Sequence, residues 1–103
     1  MSNMTWVPFP VWRILEHRKV DKDLSGRVPV EILKRYEKWK DIASISGPAG
    51  LRAIKEFRDE ALAGRWKGYR SSRLNEQWRV IYAVKAAELL FEVVRVTPHE
   101  YRR

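Results

Sequence analysis

The last third of the chain constrains the fold most. Three strand-like runs, "WKGYRSSRL" (66–74), "WRVIYAV" (78–84) and "LLFEVVRV" (89–96), follow one another with only three and four residues between them. Connections that short join antiparallel neighbours, because a parallel crossover needs a dozen or more residues. The runs therefore predict a meander. The third is nearly all apolar or β-branched, which places it inside the sheet.

An apolar sheet face needs a cover, and the chain supplies one upstream. From Val30 to Ile45, the residues Ile32, Tyr36, Trp39 and Ala43 recur at helical spacing, with Leu33 and Ile42 widening the stripe. Lys34, Arg35, Lys38 and Asp41 take the other side. Pro29 suits a first turn, where its missing N–H costs nothing, and Gly47–Pro48 ends the helix. The stripe is read as core and not as a partner groove. A second, shorter helix is predicted from about Ala49 to Phe57, anchored by Leu51, Ile54 and Phe57.

The remaining segments are read more coarsely. Val11 to His17 alternates well enough for a first strand. "RKVDKDLSGRVP" (18–29) reads as a charged loop with at most a short helical turn, and "RDEALAGRWKG" (58–68) as the connection into the sheet. Residues 1–10, with Pro8 and Pro10, read as an irregular lead-in, whose Trp6 and Phe9 suit contacts outside the core; Trp66 and Trp78 read as packing residues. The expectation is one α+β domain over residues 1–103, ordered β-α-α-β-β-β, with two helices on one face of a small antiparallel-meander sheet.

Charge limits the partners. The formal net charge is +8 in 103 residues, with a pI near 10.1. That balance calls for an anion, with nucleic acid the first choice, then an acidic protein, then an anionic membrane. With no cysteine, disulfides, thiolate metal sites and cysteine nucleophiles are excluded. No run approaches the ~20 apolar residues that span a bilayer, and the first residues lack a signal-peptide pattern. A soluble, cytoplasmic protein is expected.

The arginines of the predicted hairpin pose the functional question. Neither central residue of a two-residue loop would be glycine, so a three-residue loop, Asn75–Gln77, is preferred. Leu74 then pairs with Trp78, and Arg73 faces Arg79 on one sheet face. Like charges directly opposite each other are destabilising. They are either ordinary solvated cations or a site built for an anion. Lys67 and Tyr69 share the parity of Arg73, and the tyrosine offers a ring on which a base could stack.

The tail "VTPHEYRR" adds His99, Tyr101, Arg102 and Arg103 after the last strand. Histidine can exchange a proton near neutrality, although a lone histidine is also a common surface residue. RNA cleavage without metal needs a base for the ribose 2′-OH, cations for the phosphate and an acid for the leaving 5′-oxygen. Groups for all three occur here. His17 and His99 lie far apart, no carboxylate cluster has ligand spacing, and no glycine-rich phosphate loop is present, so no metal or other cofactor is expected.

"LAGRWKGYRSSRLNEQWRVIYAV" followed by "FEVVRVTPHEYRR" closely resembles the RelE superfamily of bacterial toxins, in particular its RelE/HigB/YoeB-like branch. The resemblance covers the last forty or so residues well and the helices more loosely. It implies a small basic endoribonuclease that cleaves messenger RNA on the ribosome without metal and is held inactive by a cognate antitoxin in a toxin–antitoxin hetero-oligomer. By the same resemblance, Arg73 and Arg79 contact the scissile phosphate, while His99 and Tyr101 serve proton transfer and hold the nucleotide. Glu60 falls where one branch keeps an acidic general base, and Lys67 matches lysines used by others. Arg65, Lys67, Tyr69, Arg70, Arg102 and Arg103 would line the RNA. In the nearest branch the histidine and tyrosine are adjacent, whereas Glu100 separates them here. Glu60 can equally be a surface carboxylate paired with Arg58 or Lys55. Two other functions stay open: a ParE-like gyrase inhibitor of the same fold, and a nonenzymatic RNA- or ribosome-binding protein.

Overall fold

The computed structural model describes residues 11–99. Five strands form one sheet in the order β1-β5-β4-β3-β2, comprising β1 (Arg13–Glu16), β2 (Glu60–Ala61), β3 (Arg70–Arg73), β4 (Arg79–Lys85) and β5 (Leu90–Thr97). β2 to β5 are antiparallel in sequence order, the predicted meander with one short strand added at its start. β1 lies parallel to β5, with Arg13 opposite Leu90 and Glu16 opposite Val93, which makes the sheet mixed and not wholly antiparallel. β5 lies between β1 and β4, an interior position, as its apolar sequence requires.

The helices cover one sheet face. α2 (Val30–Ala53) buries Ile32, Tyr36, Trp39 and Ala43. Trp39 meets Tyr82 and Phe91 with ring centroids 5.3 and 5.8 Å apart, both edge-on. Such pairs add about 0.5–1.5 kcal/mol each beyond area burial. The predicted stop at Gly47–Pro48 is a kink: Gly47 takes φ 67°, and the chain re-enters the helix and continues to Ala53. The second helix therefore ends earlier than predicted, and Lys55–Phe57 is a 3-10 turn. A Cβ on Gly47 would lie 2.5 Å from the Trp12 indole nitrogen, so the kink is where β1's leading tryptophan seats against the helix.

The segment read as a loop contains a helix, α1 (Arg18–Ser25), started by His17, whose Nδ1 accepts the Lys19 N–H at 3.2 Å. Its single buried residue is Val20. Asp23 of this helix accepts from the Val96 N–H (2.9 Å) and pairs with Arg95, which occupies β5 where β1 no longer reaches it. Covering a free strand edge in this way blocks unwanted strand pairing. No described helix is long and apolar enough to cross a membrane.

Candidate nucleic-acid interface

The hairpin sets the site. Asn75, Glu76 and Gln77 form its loop, and the Asn75 side chain accepts the N–H groups of Gln77 and Trp78 at 2.8 and 2.7 Å. This asparagine-built turn replaces the glycine that a two-residue loop would need. Leu74 N–H donates to Trp78 O at 2.8 Å, and Arg73 stands opposite Arg79. The predicted register is observed. Alternation along an antiparallel ladder then makes Arg73–Arg79 the non-hydrogen-bonded pair, the kind with the closer side chains.

One face of the sheet can be read row by row. Val80 and Tyr82 point to the helices, so Arg79 and Ile81 point away from them, as do Arg73 and Ser71 opposite. Glu60 pairs with Ser71 and shares that face. As the diagonal neighbour of Arg73, it stands roughly 7–8 Å away in a regular sheet, within reach of long side chains. Thr97 pairs with Arg79 on the other flank. His99 follows two residues on, exposed, with its N–H donating to Thr97 Oγ1 at 3.3 Å. Among the described residues, the sheet face turned away from α2 thus carries Glu60, Ser71, Arg73, Arg79 and Thr97, with His99 at its end.

Both guanidinium groups are recessed. Arg79 is 5% exposed and the Arg73 side chain 13%. Arg79 Nη1 donates to Gln77 O at 3.4 Å, and Arg73 Nη1 lies 3.7 Å from Glu76 Oε2. Glu76 is 86% exposed, and exposed pairs of this kind contribute little. Arg73 also lines a groove of about 620 Å³ between the hairpin, α2 and the 54–58 turn, with Arg35, Lys38 and Arg58 around an apolar floor of Ile54, Phe57 and Leu74.

Other expected site residues lie elsewhere. Arg70 faces the helices, because it pairs with Tyr82, and its Nε is held at 2.7 Å by Asp59, so it lies on the other sheet face from Arg73 and Arg79. The guanidinium loses some affinity for its proton through burial, but its bond to Asp59 more than restores it, and its pKa is raised. Lys67 does not extend the arginine strip. The strand begins only at Arg70, after a 3-10 turn (Gly64–Trp66) and Gly68 at φ 96°, so strand parity does not apply to Lys67. Arg65 is exposed in that turn. Tyr69 is half-buried, its ring edge-on to Trp66 at 5.3 Å. Tyr101, Arg102, Arg103 and the lead-in residues Trp6 and Phe9 lie outside the described residues.

Sequence reasoning missed Asp59. Its side chain is fully buried, accepting from Arg70 Nε (2.7 Å), Ser72 Oγ (2.5 Å) and Tyr82 Oη (2.5 Å). Burial first, then the Asp59 charge, pushes the Tyr82 phenol well above its ordinary range. An alternation from Glu60 would have placed Asp59 on the helix side, but only with β2 recognised as a strand.

Comparison with solved structures fits this architecture. The chain is similar to the YoeB/ParE toxin from Agrobacterium tumefaciens, at 21% identity over 85% of this chain and 99% of that one, with a TM-score of 0.67. It is similar to the archaeal RelE–RelB complex from Pyrococcus horikoshii OT3 at 24% identity, 85% and 94% coverage and a TM-score of 0.67. It is also similar to the YoeB dimer from Staphylococcus aureus at 18% identity, 87% and 99% coverage and a TM-score of 0.69. At the level of sequence, no family model and no curated protein matches. The chain has the α+β fold of the RelE-superfamily toxins. YoeB structures from two bacteria stand among those it resembles.

Proposed function

We propose that this chain is the toxin of a toxin–antitoxin pair, an endoribonuclease that cleaves messenger RNA without metal, with ribosome-bound message as its substrate. The observation that carries the reading is the pairing of Arg73 with Arg79 on the sheet face turned away from α2, which also holds Glu60 and ends at His99. Two recessed guanidinium groups side by side suit an anion held between them, and a low-dielectric setting strengthens the attraction of each for it. The phosphate of an RNA chain supplies such an anion.

The chemistry follows from the groups on that face. Glu60 takes the proton of a ribose 2′-OH, and the freed oxygen attacks the adjacent phosphorus. Arg73 and Arg79 hold the non-bridging oxygens, whose charge grows in the transition state. The bond to the 5′-oxygen breaks as His99 gives that oxygen a proton. The products are a 2′,3′-cyclic phosphate and a 5′-hydroxyl. Lys67, in its exposed turn, is the less favourably placed base. Tyr101 is assigned to holding the nucleotide, and Arg65, Tyr69, Arg102 and Arg103 to the RNA path.

An antitoxin partner is proposed from two kinds of support. Similar structures include the RelE–RelB complex from Pyrococcus horikoshii and a heterotetrameric YoeB–YefM toxin–antitoxin complex from Staphylococcus aureus. The net charge of +8 suits an acidic segment that folds as it binds.

The test is a translating system treated with wild type, Arg79→Ala and His99→Ala, with cleavage sites mapped on the message. Cuts made by wild type and absent from both variants support the proposal. Intact messages alongside inhibited DNA supercoiling would assign the gyrase-directed function, and RNA binding without cleavage a nonenzymatic one.

A further inference from the structure

β2 is short for the task assigned to it. It presents Glu60, yet its ladder to β3 has two register pairs, Glu60–Ser71 and Ala61–Arg70, continued by one bond from Leu62 N to Tyr69 O (2.9 Å). It is also the edge of the sheet. A two-residue edge ladder is weak by itself, and without further anchoring Glu60 would sample many positions.

Asp59 supplies the anchor. Extending the register by one residue sets Asp59 opposite Ser72, on the helix side, because successive strand residues alternate faces. There its two oxygens take hydrogen bonds from Arg70 and Ser72 of β3 and from Tyr82 of β4, one strand further in. On its other side, Arg58 sits in the left-handed region at φ 42°, a conformation that costs a non-glycine residue about 1–2 kcal/mol and persists where its surroundings hold it. The chain is therefore fixed at Asp59, with Glu60 the next residue on the opposite face.

We propose that Asp59 is a positioning residue: its buried ties to Arg70, Ser72 and Tyr82 pin β2 to the sheet and so aim Glu60 at the Arg73–Arg79 pair. The inference rests on the nuclease reading given above. Asp59 touches no substrate; it acts through Glu60 alone. Removing a general base slows such reactions by roughly 10²–10⁴-fold. Loosening the base's anchor forfeits the same contribution once, not twice.

The experiment is a double-mutant cycle of RNA cleavage with Asp59→Asn, Glu60→Gln and the pair, together with backbone amide exchange on each protein. Asp59→Asn is expected to lower kcat with little change in KM. The pair is expected to be no slower than Glu60→Gln alone, within about twofold, because interacting groups are non-additive. Exchange at Glu60 and Leu62, whose N–H groups point to β3, is expected to quicken at least tenfold in Asp59→Asn, while β4 and β5 stay protected. Ser72→Ala, which removes one of the three donors, is expected to give a smaller change in the same direction. Multiplying losses in the pair, or unchanged exchange in β2, would overturn the proposal. Full-speed cleavage by Glu60→Gln would overturn the base assignment beneath it, and that failure is distinguishable, because β2 exchange would still quicken in Asp59→Asn.

Discussion

Arg73 and Arg79 stand directly opposite each other across β3 and β4, in the closer of the two kinds of antiparallel pair. Both side chains are recessed, and Glu76, whose carboxylate lies 3.7 Å from Arg73, is almost fully solvated. Like charges set directly opposite each other across two strands cost stability. Replacing Arg73 with threonine, which suits a strand, is expected to abolish cleavage while raising stability by about 0.2–1 kcal/mol. The urea midpoint and a cleavage assay on the same variant check this. A loss of both stability and activity would show that Arg73 is structural.

The kink in α2 depends on Gly47. A side chain there meets two penalties, a left-handed φ of 67° and contact with the Trp12 indole. Gly47→Ala is expected to cost about 2–3 kcal/mol, combining roughly 1 kcal/mol of backbone strain with overpacking of 1 kcal/mol or more. Trp12 fluorescence should shift at the same time, and the unfolding midpoint measures the cost.

Leu89 is the converse case. It is exposed, ends the 3-10 turn Ala86–Glu88 and sits at φ 51°. Leu89→Gly is expected to leave stability unchanged or raise it by up to about 1 kcal/mol, since relief of strain is partly offset by the entropy of a freer unfolded chain. Thermal unfolding at constant buffer decides the sign.

Alkaline pH should reveal the buried phenols. Burial first, then the hydrogen bond and charge of Glu16, raises the Tyr36 hydroxyl far above its ordinary value of about 10. A group raised on folding stabilises fully below its unfolded pKa and loses that contribution as pH climbs toward the folded value. Stability should therefore hold up to about pH 10 and fall above it, by about 1.4 kcal/mol per pH unit for each phenol kept neutral. Tyr36→Phe is expected to make the decline shallower. Urea unfolding between pH 9 and pH 12 measures it.

The sequence carried the face-setting features because they are local. The 3.6-residue stripe of α2 and the glycine-free hairpin loop each depend on neighbours a few residues apart, and both matched the structure. What it hid was set by distant partners. Arg70 looked like another cation in a basic strand until Asp59, eleven residues earlier, was found beneath it. Lys67 was misplaced because strand parity was carried through Gly68, where the backbone turns instead. α1 was obscured by its charges, and only Val20 and Leu24, four residues apart, hinted at its buried side. β1 alternates legibly, but its parallel pairing with β5 is a choice between sheet edges that no short window encodes.

The most direct test of the account uses a message fragment with a 2′-deoxy sugar at a mapped cleavage position, bound to ribosomes and then treated with the protein. The account predicts that the unmodified fragment is cut there to a 2′,3′-cyclic phosphate and a 5′-hydroxyl, and that the deoxy fragment stays intact at that bond. Cleavage of the deoxy fragment, or 5′-phosphate ends on the products, would contradict it.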